Sequence, residues 1–173
     1  MMESLTNDQA RKLVLLSQKV PPAKQTGPDP ESATAATLSA IEHLGYIQVD
    51  TISVIERAHH HTLWNRNPSY LASQLDQLVA DKQVFEYWSH AASYLPMRDY
   101  RYSLPRKQAL ACGDQNHWFE CDKKLMKSVL NRIATEGPLM ARDFEHTGKK
   151  TGEWQIKPAK KALENLYMQG NLM

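Results

Sequence analysis

The stretch that decides the fold class is YIQVDTI, residues 46–52. In it the apolar residues Ile47 and Val49 alternate with polar ones, which is the two-residue repeat of a half-buried β-strand. The polar residues are Gln48 and Asp50, so their side chains share one face of the predicted strand. Most of the remaining chain has helical repeats, and the sequence therefore predicts a mainly α fold with small β-hairpins (α+β).

Two helices are predicted before this strand. The spacing of apolar residues indicates one helix over residues 7–20, opened by a capping box, and a second from about residue 31 to residue 44. Gly45 is well placed to stop the second helix. The residues between them, 21–30, hold four of the nine prolines and are typical of a connecting loop.

A third helix and a hairpin are predicted after the strand. Asn67-Pro68 resembles a helix cap followed by a first helical position, which predicts a helix that continues to about Ala80. Two β-rich runs follow, residues 84–88 and 91–95. They are joined by Ser89-His90, as in an antiparallel hairpin.

The C-terminal part is predicted to be helical again. Helical spacing indicates a helix over residues 116–136, a short one over 139–144, and a last one from Pro158 to Gly170, with a polar loop at 146–152. Three helices, the last basic at its start and followed by the beginning of a strand at Leu172, are typical of a helix-turn-helix whose wing is cut off.

Composition limits the class of protein. The chain has 173 residues, of which 42% are hydrophobic and 23% are charged. These values lie near the globular average and exclude a disordered or fibrous chain. Cys112 and Cys121 are too few for a disulfide framework or an all-cysteine zinc site, which indicates a reduced, cytoplasmic protein. No apolar run approaches the roughly 20 residues of a membrane-spanning helix, so no membrane partner is expected.

Charge is distributed unevenly along the chain. Residues 1–90 hold seven Lys and Arg against ten Asp and Glu, whereas residues 91–173 hold 14 against nine. Basic residues gain affinity for nucleic acid by displacing counterions from phosphate, so the C-terminal half favours a nucleic-acid partner. The alternative is an ordinary solvated surface.

Gln48 and Asp50 are the strongest candidates for chemistry. On one strand face, an amide and a carboxylate two residues apart are about 7 Å from each other. Together they can hold a water molecule or face a developing positive charge. The alternative is that both side chains lie on a solvated strand face.

Other kinds of site are not supported by the sequence. The run His59-His60-His61 points its side chains in different directions on a helix or a strand, so no metal site is predicted. Neither cysteine lies beside an activating base, which argues against a nucleophilic role. There is no glycine-rich phosphate loop and no Gly-x-Ser-x-Gly elbow, which removes nucleotide-binding and serine-hydrolase interpretations.

Basic residues and one histidine are candidates for contact with DNA. Those of the N-terminal half are Arg57, Arg66 and His90. Those that bracket the last helix are Arg142, Lys149, Lys150, Lys157, Lys160 and Lys161. Lysines at a helix start suit docking against a DNA backbone. The alternative is that Lys160 and Lys161 form the solvated face of that helix, and winged-helix folds also make protein contacts.

Three blocks of the chain resemble one known family. They are QVDTISVIERAHHHTLWNR (48–66), EYWSHAASYLPMRDYR (86–101), and GPLMARDFEH with WQIKPAKKALENLYMQG (within 137–170). In this order and spacing they resemble the AlkZ/YcaQ-like family of bacterial winged-helix DNA glycosylases. That family excises alkylated bases, including those joined in interstrand crosslinks. Its catalytic motif is Gln, a hydrophobic residue, then Gln or Asp, which Gln48-Val49-Asp50 matches.

The resemblance implies a mechanism that needs one carboxylate. An alkylated purine already carries positive charge and is a good leaving group. Asp50 would stabilise the sugar cation and orient or deprotonate water, while the Gln48 amide holds water or sugar in line. No metal and no organic cofactor is expected. The resemblance also implies double-stranded DNA as the partner and a cytoplasmic, nucleoid-associated location.

The resemblance further implies tandem winged helix-turn-helix units. We expect a first unit over residues 1–108, with the Gln-x-Asp motif, and a second over residues 109–173. Family members are about twice as long, in keeping with domains of about 100 residues. We therefore expect a fragment whose second unit is truncated at its wing and whose own excision rate is low. An exposed strand stub at Leu172 is expected to pair with a second copy, giving a homodimer.

Two other classes remain open. The first is a non-catalytic winged-helix DNA-binding protein, such as a regulator, which would depend on Lys157, Lys160 and Lys161 and not on Asp50. The second is a protein-interaction module, which would show no salt-dependent binding to DNA.

Overall fold

A computed structural model describes residues 4–20, 30–50, 52–118, 120–144 and 156–173. Across these residues the chain consists of helices and one three-stranded antiparallel sheet, which confirms the predicted mainly α fold with small β elements. The chain forms two compact units, Met1–Tyr100 and Arg101–Met173. No helix in the described part of the chain has the length and apolar character needed to cross a membrane.

The first unit combines four helices with the sheet. In chain order its elements are α1 (Asn7–Ser17), α2 (Pro30–Leu44), β1 (Ile47–Gln48), α3 (Ala58–Trp64), α4 (Ala72–Ala80), β2 (Val84–Trp88) and β3 (Ala92–Pro96). The strands lie in the order β1-β3-β2, and both neighbouring pairs are antiparallel. The predicted hairpin is therefore confirmed, with its second strand shifted by one residue.

The first two helices agree with the sequence analysis. The capping box of α1 is formed, because the Thr6 hydroxyl accepts the Gln9 N–H at 3.3 Å and the Gln9 side chain accepts the Thr6 N–H at 2.9 Å. This helix ends at Ser17, three residues before the predicted end. The second helix ends at Leu44, and Gly45 takes a φ of 80°, a left-handed conformation that favours glycine.

The prediction that Asn67-Pro68 opens a helix is wrong. The next helix begins only at Ala72, and an unpredicted helix, α3, precedes Asn67. The Asn67 side chain is buried and its amide donates to the Ala33 carbonyl at 2.8 Å and to the Thr37 hydroxyl at 2.9 Å. Asn67 therefore fastens the loop to α2 and does not cap a helix.

The core of the first unit is built by residues from α2, α3, α4 and the sheet. Its buried members include Ile41, Ile47, Leu63, Leu75 and Val84. Ile47 is the only one of these that lies in β1, so it is the residue that anchors the short strand in the core.

The described residues of the second unit form helices joined by turns and irregular segments. After a 3-10 helix, Met97–Ser103, it contains α5 (Leu104–Cys112), α6 (Lys123–Glu136) and α7 (Pro158–Met168). Helices α6 and α7 share a core in which Val129, Ala162 and Leu166 are buried.

The predicted helices of the second unit are partly confirmed. The last helix begins at Pro158 and is followed by Gly170 with a φ of 80°, as predicted. The helix predicted over residues 116–136 begins only at Lys123, because the Asp122 carboxylate caps it by accepting the Lys124 N–H at 2.8 Å. Residues 139–144 form a turn and not the predicted helix, and α5 was not predicted.

The strand stub predicted at Leu172 is absent. The Leu172 N–H donates to the Leu166 carbonyl at 3.3 Å, and the Leu172 side chain packs against the core of the second unit. Leu172 therefore closes the end of α7 instead of presenting a sheet edge. The end of α7 thus does not provide the strand edge on which the homodimer was predicted to form.

Some predictions fall outside the described residues. They are the loop over residues 21–30, apart from Pro30, the loop over residues 146–152, and the lysines Lys149 and Lys150.

The Asn67 network yields the first prediction. Replacing Asn67 with alanine removes the buried amide that donates to both the Ala33 carbonyl and the Thr37 hydroxyl, and it leaves the carbonyl with the Thr37 hydroxyl as its donor. We expect the free energy of unfolding to fall by about 2–3 kcal/mol, measured by urea titration with circular dichroism. The control is Asn65→Ala, since Asn65 is exposed at the end of α3. Equal effects of the two substitutions would contradict the structural role of Asn67.

Candidate active site

The pairing of β1 with β3 determines where the predicted Gln-x-Asp motif lies. Ile47 pairs with Tyr94 and Gln48 pairs with Ser93, and the Val49 N–H donates to the Ala92 carbonyl at 2.8 Å. The strand ends there, earlier than the predicted end at residue 52. Because side chains alternate along a strand, Ile47 enters the core while the Gln48 side chain is exposed.

The Gln48 side chain contacts the turn of the β2–β3 hairpin. Its amide oxygen lies 3.1 Å from Nε2 of His90, a residue predicted as a DNA contact. Since an amide oxygen only accepts, Nε2 of His90 carries the hydrogen of this bond. Nδ1 of His90 then accepts the Ser89 hydroxyl, 3.4 Å away. The Tyr46 ring lies edge-on to the His90 ring, with ring centroids 5.2 Å apart.

Asp50 lies at the point where the chain leaves the sheet. One carboxylate oxygen, Oδ1, accepts the Ile52 N–H at 2.9 Å, which forms a local turn. The second oxygen has no hydrogen-bond donor among the residues that the structure describes. The side chain is half-buried, so this oxygen is available to a substrate or a water molecule.

His59 connects Asp50 to the core. The Asp50 N–H donates to Nδ1 of His59 at 3.2 Å, and the imidazole is buried. Burial lowers the pKa of His59 below its ordinary value, and the charges of His60 and Arg57 act in the same direction. Asp50 opposes this shift. His59 is therefore the neutral tautomer with hydrogen on Nε2, the form that accepts the Asp50 N–H.

The three consecutive histidines have different surroundings, as expected for neighbours on a helix. His59 faces Asp50, Nδ1 of His60 lies 2.8 Å from the Tyr70 hydroxyl, and His61 is exposed. Among the described residues no group of three or more His, Cys, Asp or Glu side chains is placed to hold a metal ion.

Gln48 and Asp50 supply a hydrogen-bond donor and an acceptor two residues apart. Since the Gln48 amide oxygen is bound to His90, the N–H groups of this exposed side chain remain to donate. Asp50 presents its second carboxylate oxygen from two residues further along the same chain. A water molecule that accepts from the amide and donates to the carboxylate keeps one lone pair free for attack on an electrophile.

The other predicted DNA contacts of the first unit differ in exposure. Arg57 is exposed at the start of α3. Arg66 is half-buried, and its guanidinium donates to the Thr62 carbonyl at 2.9 Å and to the Gln18 side chain at 3.4 Å. Arg57 is thus open to a phosphate, whereas Arg66 joins elements within the unit.

The second unit holds a separate set of basic residues. Lys157 and Lys160 are exposed, and Lys161 is half-buried, all at the beginning of α7. Arg142 is exposed and lies 3.9 Å from the Asp143 carboxylate. The structure thus gathers the lysines of α7 on one helix turn and places Arg142 in the turn that follows α6.

Two features of the site were not predicted from the sequence. The first is the role of His59, which lies nine residues after Asp50 and accepts its N–H only because the chain turns back into helix α3. The second is the end of the strand, which was predicted at residue 52, whereas Ile52, Val54 and Ile55 are exposed in a loop. The signal for the loop was weak, because its apolar residues continue the strand-like pattern.

Comparison with known proteins identifies the class and then the family. A model of a DNA glycosylase family, described as DNA glycosylase AlkZ-like, matches residues 41–173. This range covers more than three quarters of the chain and includes β1 and α7. The chain belongs to the AlkZ-like DNA glycosylase family, which confirms the resemblance and implies binding to DNA. No solved structure matches the chain.

The lowered pKa of His59 yields the second prediction. As the pH falls below about 6.5, the unfolded chain binds a proton that the folded chain resists, so the free energy of unfolding decreases. His59→Asn keeps an acceptor near the position of Nδ1 but does not titrate. We expect urea titrations between pH 7.5 and pH 5, about the range of histidine titration, to show a smaller loss of stability in this variant.

The control is His61→Asn, because His61 is exposed on the same helix. This variant should keep the pH dependence of the original chain. An unchanged pH dependence in His59→Asn would mean that protonation of His59 does not oppose folding.

Proposed function

We propose that the chain excises alkylated purine bases from duplex DNA by hydrolysing the N-glycosidic bond, with Asp50 and Gln48 as its catalytic residues. The observation that carries the proposal is a donor and an acceptor two residues apart, on the exposed Gln48 and the half-buried Asp50. His90 holds the Gln48 amide oxygen at 3.1 Å, and two residues later one Asp50 carboxylate oxygen has no donor among the described residues. Membership of the AlkZ-like family supports the reaction type.

In the proposed reaction, positive charge moves from the alkylated base to the sugar. N7-alkylation places a positive charge on the purine, so the base leaves without protonation and the sugar becomes cationic. The Asp50 carboxylate stabilises this cation and accepts a proton from the attacking water. Gln48 fixes the water by donating to its oxygen. The bond between water oxygen and C1′ forms as the bond between C1′ and N9 breaks.

His90 and His59 have positioning roles in this proposal. His90 fixes the rotation of the Gln48 amide, which decides whether N–H or oxygen faces the water. His59 fixes the backbone of Asp50 through its N–H. A winged-helix architecture for each unit and bases joined in interstrand crosslinks as substrates are further parts of the proposal, and they rest on the family alone.

The third prediction tests the catalytic roles. With protein in excess over a duplex that carries one N7-methylguanine, abasic sites are converted to strand breaks by alkali and counted over time. We expect Asp50→Asn to lower the excision rate about 100-fold or more and Gln48→Ala to lower it about tenfold, because charge stabilisation is lost in the first and water placement in the second.

Matched controls are Asp81→Asn and Gln77→Ala, which change exposed side chains on and just after α4. Both should excise at the rate of the original chain, and circular dichroism should show that all four variants are folded. If the Asp50 and Gln48 variants also keep that rate, the proposed catalytic roles are wrong.

A second candidate function is non-catalytic binding of duplex DNA through α7. It is favoured by the exposure of Lys157 and Lys160 on the first turn of that helix. A helix start carries the positive end of the helix dipole, and two exposed ammonium groups add to its attraction for phosphate. A glycosylase would use the same contacts with phosphate, so DNA binding by itself does not distinguish the two functions.

The fourth prediction tests the proposed contacts between the α7 lysines and DNA phosphate. Each phosphate contact removed from a duplex complex reduces the slope of log affinity against log salt by about 0.9. We therefore expect Lys157→Ala/Lys160→Ala to weaken binding to all duplex sequences alike. The slope of log affinity against log salt should fall by the amount that corresponds to about two phosphate contacts. Fluorescence anisotropy across a salt series provides the measurement.

Lys127→Ala is the control, since Lys127 is exposed on α6 in the same unit. An unchanged salt slope in the double variant would exclude α7 from the interface. A salt-dependent complex in which no base is ever released would instead favour the non-catalytic function.

A further inference from the structure

An apolar loop stands exposed directly after the candidate catalytic carboxylate. Its residues, 52–57, include Ile52, Val54 and Ile55, whose exposed fractions are 74%, 92% and 89%. Aliphatic side chains are favoured in the interior of a protein, and a group of them left in water marks a contact surface. We refer to residues 52–57 as the apolar loop.

The loop has a defined shape. Ser53 and Arg57 form an isolated antiparallel bridge that closes it. At its beginning the Ile52 N–H donates to the Asp50 carboxylate at 2.9 Å, and at its end the Arg57 N–H donates to the Glu56 side chain at 2.9 Å. Helix α3 starts at the next residue. The apolar side chains are therefore presented by a closed turn that is tied to Asp50 itself.

The position of the loop limits what can cover it during the reaction. Ile52 is two residues from Asp50 and Val54 is four, so their Cα atoms lie within about 7 Å and about 14 Å of the Asp50 Cα. Successive nucleotides of one strand are about 3.4 Å apart along a duplex axis. When the Asp50 carboxylate faces the sugar of a target nucleotide, the loop lies within about four nucleotides of it.

A protein partner seated on this loop would compete with the substrate of Asp50. A DNA partner would not, because one duplex can occupy both surfaces at once. Arg57 is exposed at the base of the loop and supplies a positive charge for the adjacent phosphate. Glu56 beside it carries the opposite charge, so it is the position of the loop next to Asp50 that favours DNA as the occupant.

We propose that the apolar loop inserts Val54 and Ile55 against the bases beside the target nucleotide and unstacks that step of the duplex. This inference rests on the proposed function for the orientation of Asp50 toward DNA. Aliphatic side chains of architectural DNA-binding proteins part base steps in the same way. Unstacking loosens the target nucleotide and gives the Asp50 carboxylate access to its sugar.

The experiment uses the whole chain and a fluorescent duplex. The duplex carries 2-aminopurine next to a 2′-fluoro N7-methylguanine nucleotide, whose fluorine prevents excision. The fluorescence of 2-aminopurine rises when the base is unstacked. We compare the original chain with Val54→Ser/Ile55→Ser, which alters two side chains that make no core contact. Leu16→Ser is the matched control, because Leu16 is 70% exposed and belongs to α1, outside the region that matches the family.

We expect saturating amounts of the original chain and of Leu16→Ser to raise the fluorescence. In the loop variant the rise is lost, affinity for the duplex falls by about tenfold or more, and excision from N7-methylguanine DNA slows. Circular dichroism confirms that each variant is folded. A loop variant that binds and unstacks like the original chain would overturn the proposal, and so would an original chain that leaves the fluorescence unchanged.

The outcomes separate this proposal from the proposed function. A fluorescence rise that depends on the loop, with no base release from hydrolysable DNA, would support insertion and refute excision. Base release that depends on Asp50 but not on Val54 and Ile55 would support excision and refute insertion. Sedimentation of the chain without DNA gives a third reading, because self-association that disappears in the loop variant would assign the loop to a protein interface and overturn the proposal.

Discussion

The antiparallel pairing of β1 with β3 is the constraint on which the candidate site depends. The strand has only two residues, yet its register decides which side chain enters the core and which faces outward. A slip by one residue would bury Gln48 and expose Ile47. Burial of Ile47 therefore stabilises the one register in which the Gln48 amide reaches His90. Hydrophobic packing on one side of the strand thus sets the geometry of the polar groups on the other side.

The end of this strand matters as much as its register. Beyond Val49 the backbone stops pairing with β3, because the Asp50 N–H is taken by the buried imidazole of His59 and the Asp50 carboxylate binds the following Ile52 N–H. The chain is thereby turned out of the sheet at the residue that carries the charge. In this register Val49 lies opposite Ala92, where β3 begins, so a longer β1 would find no further partner in β3.

Local patterns predicted the parts of the fold that are determined locally. The alternation around Gln48 and Asp50, the hairpin that follows, and helix α7 with its proline start and glycine end were all read from neighbouring residues. Asn67 was misread because its hydrogen-bond partners lie in α2, about 30 residues earlier, and no local pattern reveals them. His59 was missed for the same reason, since its function depends on a backbone N–H that only tertiary folding brings near.

Residues 48–50 and 52–57 lie between two buried anchors, Ile47 and His59. They carry an amide, a carboxylate, aliphatic side chains and a guanidinium, so the packing of these two anchors sets where the polar and apolar groups of the candidate site begin and end. The lysines of α7 belong to a different core, built around Val129 and Ala162. Under the proposed function, packing changes in that second core would alter the contact of these lysines with phosphate, and substitutions in the two cores would test the two contributions separately.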